Sequence, residues 1–182
     1  MKTVKKWGKL CVIIVLLSAA AGTFLWYTSR PVLLDPAKLT LAETHESCPG
    51  TALALDITNY QMTMVLENHS DIHIESGAAV DADRALYEIP GLDILLDGIW
   101  YKVPSETYST AGVGLILAPG DSVEMKIVLS PYGELPDGQY RLSYSYVYYD
   151  PAWERAVVEN PDYAEYTLYA RFDIANRKYV PV

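Results

Sequence analysis

The chain has 182 residues, with 14 Lys and Arg against 23 Asp and Glu, for a formal net charge of -9. That length allows one domain, or one domain with a tail. An acidic chain is repelled by phosphate backbones, which excludes nucleic acid as a partner. An apolar fraction of 51% with 15 Tyr excludes a disordered chain, and two Cys exclude a disulfide-built mini-protein.

The charge is unevenly placed. Residues 1–30 hold Lys2, Lys5, Lys6, Lys9 and Arg30 and no acid, which leaves residues 31–182 nine basic and 23 acidic side chains, a net of -14. Within the basic piece, Leu10 to Tyr27 is apolar apart from Ser18, Gly22 and Thr23. Eighteen residues at ~1.5 Å rise span about 27 Å, close to a bilayer's hydrocarbon core. Lys before the run and Trp26-Tyr27 after it predict a transmembrane helix over 10–27 in a signal anchor over 1–30. The N-terminus is then cytoplasmic and the body extracytoplasmic, at the cell membrane. Ala19-Ala20-Ala21 also suits a cleavable signal peptide, which places the body on the same side. Cys11 stands at the start of the apolar run, the wrong place for lipoprotein processing.

Residues 31–50, with Pro31, Pro36, Pro49 and Gly50, read as a membrane-proximal linker. Cys48 is the one Cys of the body, so no disulfide can form within it; a free thiol or an intermolecular bridge both fit.

Beyond residue 50 the apolar period is 2. Leu53, Leu55 and Ile57 form the first such run. Tyr60 to Leu66, Val123 to Leu129, Tyr140 to Tyr148 and Tyr166 to Ile174 follow the same alternation. Successive strand side chains point to opposite faces, so these runs are strands with one buried face, the habit of antiparallel sheets. Turn signals at Pro90-Gly91, Asp97-Gly98, Pro119-Gly120 and Pro136-Asp137-Gly138 separate them. The pattern predicts an all-β fold: an antiparallel β-sandwich of about seven strands over 51–182, with Trp100 in a core strand. Tyr140, two residues after Gly138 at a strand start, is expected to serve as a tyrosine corner, its phenol bonding back to the backbone.

In order, the segments Val65-Leu66-Glu67-Asn68, Asp97 to Pro104, Leu117-Ala118-Pro119-Gly120, Tyr132 to Leu142 and Phe172-Asp173-Ile174 carry a resemblance. Residues 60–174 resemble a family of bacterial Ig-like domains found in lipoproteins and membrane-anchored proteins of Gram-positive bacteria. The resemblance implies an extracytoplasmic sandwich closed by the Phe172 strand, without a known catalytic site or a defined ligand. The chain departs from many members in lacking a lipoprotein cysteine.

Two constellations carry candidate chemistry. Glu67, His69, Asp71, His73 and Glu75 alternate, so on an unbroken strand they share a face; His with carboxylate suits Zn²⁺ or another transition metal, with His69, Asp71 and His73 as ligands. Asn68-His69-Ser70-Asp71 also reads as a turn, which would break that alternation. The long connection Tyr149 to Tyr163 holds Tyr149, Trp153, Arg155 and Tyr163, residue types enriched at binding hot spots. Capping of the sandwich end by Trp153 is the competing role. The acidic pairs Asp81/Asp83 and Asp93/Asp97 read as solvated loops. Gly112-Val113-Gly114 reads as a flexible loop or strand start, without a phosphate-loop Lys. No nucleophile–His–acid motif is visible, and no cofactor is expected. The chain is therefore read as a non-enzymatic, membrane-anchored module that binds a protein or cell-envelope partner or acts structurally. The alternative is an envelope metal-binding or sensor protein using His69 and His73.

Overall fold

The computed structural model describes residues 34–58, 61–106, 112–149, 165–176 and 178–181. The expected anchor over 1–30 lies outside them, and no helix among the described residues is long and apolar enough to cross a membrane.

The period-2 runs fold as strands. Thr51–Ile57 forms β2, Met62–Asn68 β3, Ser122–Ile127 β9, Gly138–Tyr149 β10 and Glu165–Ala175 β11. Seven more strands surround them: β1 (Thr40–Leu41), β4 (His73–Val80), β5 (Leu86–Glu88), β6 (Gly91–Leu96), β7 (Ile99–Lys102), β8 (Gly112–Leu117) and β12 (Lys178–Pro181). Two 3₁₀ turns, Pro36–Lys38 and Ser130–Tyr132, complete the described elements. The strand count among the described residues is thus twelve rather than about seven. The extra strands are short, or rich in glycine and alanine, so their sequences show little alternation. The Phe172 strand does not close the fold either, because β12 pairs with it through Asp173↔Val180 and Ile174↔Tyr179.

The twelve strands form one mixed sheet in the order β1-β7-β6-β10-β4-β5-β9-β3-β2, with β11 and β12 branching from β10 and β8 from β4. All pairings are antiparallel except the two-residue contact of β5 with β9, Tyr87↔Lys126 and Glu88↔Ile127. The far end of the path returns to the branch, so that β2 lies against β11 and β12. The stretch read as a linker takes part from residue 34 on: β1 pairs with β7 through Thr40↔Lys102 and Leu41↔Tyr101.

β10 organises the interior. Its twelve residues span about 40 Å at ~3.4 Å each. One edge runs along β11 from Gly138↔Ile174 to Val147↔Glu165. The other edge pairs first with β6, over 140–143, and then with β4, over 147–149. Its inward side chains feed two core clusters. Tyr140 and Leu142 join Met62, Ile94 and Phe172; Tyr144 and Tyr146 join Met64, Leu66, Ile74 and Met125. Each fully buried large side chain contributes ~1.5–3 kcal/mol. Tyr140 and Phe172 stack with ring centroids 5.5 Å apart.

Turn chemistry fixes the register. Asp97 and Gly98 both have positive φ, 50° and 80°, which matches the tight β6–β7 hairpin and its twist. Gly50, at φ 86°, approaches the next turn so closely that a Cβ there would stand 2.9 Å from Ser70 Cα. His69 N–H donates to Gly50 O at 2.7 Å across that contact.

Tyr140 is fully buried, yet its hydroxyl reaches Pro136 O at 2.7 Å. Tyr140→Phe deletes that donor and should lower stability by about 1 kcal/mol. Urea unfolding would show a lower midpoint at unchanged slope. Phe172→Ala opens a cavity in the same cluster and should cost ~3–5 kcal/mol.

Candidate functional site

The outward face of the β10–β11–β6–β7 region carries the one ion pair with both side chains buried among the described residues. Arg141 and Asp93 face each other across β10 and β6 in register, so alternation turns both away from the core. Arg141 Nε donates to Asp93 Oδ2 at 2.7 Å, and both residues are 5% exposed or less. Burial on an outer face requires a cover, and the segment 42–48 supplies it. Arg141 Nη1 donates to Thr44 Oγ1 and Nη2 to Glu43 O, both at 3.2 Å. The guanidinium also lies over two rings, 4.3 Å from the Tyr169 centroid and 4.8 Å from that of Trp100. Trp100 is therefore half-buried on the outer face, between Arg141 and Arg171, and not in either core cluster. Burial raises the Asp93 carboxyl above its ordinary pKa, while Arg141 pulls it back.

The segment is fastened at further points. Tyr169 Oη donates to Glu43 O at 3.2 Å and accepts from His45 N–H at 3.0 Å. Cys48 N–H donates to Tyr146 Oη at 2.8 Å, and Thr51 Oγ1 lies 2.6 Å from the same oxygen. Cys48 is a free, half-buried thiol whose pKa is raised by burial and then by Asp71.

A crevice of about 500 Å³ opens where β10 leaves β4 and joins β6. Small residues of β4, β6, β8 and β10, Gly77, Gly91, Gly112 and Ser143 among them, form part of its walls, and Tyr87 to Pro90 with Tyr144 form the rest. A Cβ at Gly91 would meet Ser143 Oγ, so a larger residue there would require the serine hydroxyl to turn away. Two side-chain bonds span the split: Ser76 Oγ to Ser145 O at 3.2 Å and Tyr144 Oη to Gly77 O at 2.8 Å. Glu88 and Tyr144 are the titrating groups of the lining with shifted pKa. Burial raises the Glu88 carboxyl, offset in part by the Ile89 N–H that donates to Oε1 at 3.0 Å. Burial pushes the Tyr144 phenol up to about 12. The lining offers hydroxyls, backbone edges and one carboxyl, which suits hydrogen-bonded binding. Its described residues set no nucleophile against a general base.

The metal expectation is not met by the geometry. Asn68 is fully buried at the end of β3 and ties the following turn: Nδ2 donates to Ile72 O and Leu117 O, and Oδ1 accepts from Ser70 N and Oγ. That turn breaks the alternation. His69 Nε2 instead lies 3.1 Å from Glu67 on an exposed surface, and His73 starts β4 opposite Tyr149. Among the described residues no three His, Cys, Asp or Glu side chains converge as metal ligands, so His69, Asp71 and His73 do not form a set.

Asp81 is a turn anchor, accepting from Asp83 N at 2.9 Å and Ala85 N at 2.8 Å. Gly112 and Gly114 belong to β8. Tyr149 ends β10, while Trp153, Arg155 and Tyr163 lie outside the described residues. The Arg141 clamp was not legible in the sequence. Its available signal was an Arg and an Asp at positions expected to face solvent. No family model matches the chain, and comparison with curated proteins finds no match.

Asp93→Ala leaves Arg141 buried without its counter-charge and should cost ~3–5 kcal/mol in denaturant unfolding. Glu88 gives a pH signature. A carboxyl with a raised folded pKa contributes its stabilisation fully below the unfolded pKa and loses it as pH rises through the folded value. Glu88→Gln should therefore unfold at higher temperature than the parent at pH 8, with the gap closing towards pH 4.

Proposed function

We propose that the chain is a non-enzymatic, membrane-anchored, extracytoplasmic Ig-like module that binds a protein or cell-envelope partner or serves as a structural element of the envelope. The observation that carries the fold part of this reading is Tyr140. A buried tyrosine at the start of a long strand bonds to a carbonyl four residues upstream, which fits the tyrosine corner of Ig-like sandwiches. The two core clusters, fed from β3, β6, β10 and β11, suit a two-layer packing. The anchored part rests on the apolar run 10–27 and its Lys flank. The crevice beside Gly77 and Gly91 is the place for a small polar group of the partner.

Fusing alkaline phosphatase after Val182 tests the topology. The reading predicts an active enzyme that stays with the membrane through carbonate extraction. An inactive fusion, with a fluorescent cytoplasmic reporter active at the same junction, would overturn the extracytoplasmic placement.

A further inference from the structure

The split between β4 and β10 leaves backbone without a ladder. β4 pairs with β8 over 74–79 along one edge. Along the other, β10 covers 73–75 and β5 covers 79–80, so residues 76–78 face the crevice. Gly77 O and Ser145 O point across it, and receive the hydroxyls of Tyr144 and Ser76. A carbonyl oxygen has two lone pairs, so both can accept again. Glu88 adds the charge. Its Oε1 accepts from Ile89 N–H at 3.0 Å, and among the described residues its carboxylate joins no ion pair. Burial raises that carboxyl's pKa, a shift that a cation beside it would reverse. A second hollow shares Gly77, Gly112 and Ser145 with the crevice and adds Glu75 and Glu165. Among the described residues that line the two, none is Lys, Arg or His.

We propose that the crevice binds a lysine side chain presented by a protein partner, with the ammonium against Glu88 and the methylene stem along Ala78, Ala79 and Pro90. This rests on the reading of the crevice as the partner's docking place. The walls select the group. An ammonium has three donors and no acceptor, which suits a carboxylate beside two carbonyls. An arginine fork favours both oxygens of a carboxylate side by side, and Ile89 N–H already engages one of those on Glu88. The apolar part of the lining can cover a lysine stem, which buries readily while its head stays on polar groups. A bare metal ion fits less well, because among the described residues no three ligand side chains converge. Charge selects a polypeptide rather than an isolated amine. Glu75 and Glu165 in the adjoining hollow offer a counter-charge to a further basic residue of the same segment. The net of -14 over residues 31–182 steers a basic surface towards the body.

Amide NMR on the full chain in detergent micelles provides the test. The probes are a capped Gly-Lys-Gly-Lys-Gly peptide, the same peptide acetylated at both lysines, and an N-acetylated cell-wall glycan fragment. The lysine peptide should shift the Gly77, Gly91 and Ser145 amide signals saturably. The acetylated peptide should bind at least about tenfold more weakly, the cost of losing one hydrogen-bonded charge. Glu88→Gln removes the charge and keeps the shape, so it should weaken the lysine peptide by a similar factor. Gly77→Val narrows the crevice and leaves Glu88 in place. A Cβ at Gly77 would meet nothing within 4 Å, so this variant should fold and also lose the peptide. Lysine-peptide shifts of equal strength in the parent and both variants would overturn the proposal. Crevice shifts from the acetylated peptide or the glycan, with none from the lysine peptide, would overturn the lysine and keep the crevice as a docking place. Silence with all three probes would remove the docking place as well.

Discussion

The structure depends on a charge placed where sheets usually meet water. Arg141 and Asp93 sit on the outward face of neighbouring strands, yet both are buried. Taking two ions out of water costs several kcal/mol each, and their attraction recovers this only when the remaining donors are satisfied. Asp93, Thr44 and Glu43 O accept from the guanidinium, and Trp100 and Tyr169 flank it. One side chain on β10 thereby links β6, β7, β11 and the segment 42–48. That segment connects β1 to β2, so the ion pair holds a strand connection onto the outer face of the sheet.

Tyrosines continue the same logic, from the core at Tyr140, Tyr144 and Tyr146 to the outer face at Tyr169. A buried phenol brings ring area to the core and must still place its hydroxyl on a partner. Tyr140 ends on Pro136 O, Tyr144 on Gly77 O, Tyr132 on Pro90 O and Tyr169 on Glu43 O, while Tyr146 receives Cys48 N–H. Tyr140, Tyr146 and Tyr169 fasten loops to β10 and β11, Tyr144 joins β10 to β4, and Tyr132 ties one loop to another. The abundance of tyrosine in an otherwise unremarkable composition has this structural reading: core mass and loop attachment come from the same residues, without disulfides.

The parts of the fold legible in sequence are those with uninterrupted alternation. β3, β10 and β11 show it because one face is packed and the other is wet. β4 and β8 conceal it, since His73, Glu75, Gly77, Gly112 and Gly114 dilute the apolar signal although Ile74, Ala78 and Leu117 are buried. The Asp97-Gly98 hairpin was legible from local chemistry alone. The role of 34–50 was not, because most of its attachments are to residues far away in sequence, such as Thr40 with Lys102 and Glu43 O with Arg141. The His69 alternation shows the converse failure. A period-2 pattern was present in the letters, but the buried Asn68 ends β3 there and turns the chain. The crevice depends on β10 changing partners from β4 to β6, a topological event that leaves no local mark.

Native-state hydrogen exchange on the full chain, comparing the parent with an Arg141→Met/Asp93→Leu variant, tests the clamp most directly. Replacing both charges by apolar groups avoids stranding a buried ion, so the core should survive. The account predicts at least about tenfold faster exchange at Ala42, His45 and Thr167, whose amides donate to Trp100 O, Tyr169 Oη and Glu46 O. Amides in the middle of the β10–β11 ladder should keep their protection. Unchanged exchange at those three positions in the folded variant would contradict it, since the segment would then be held by its other contacts and not by Arg141.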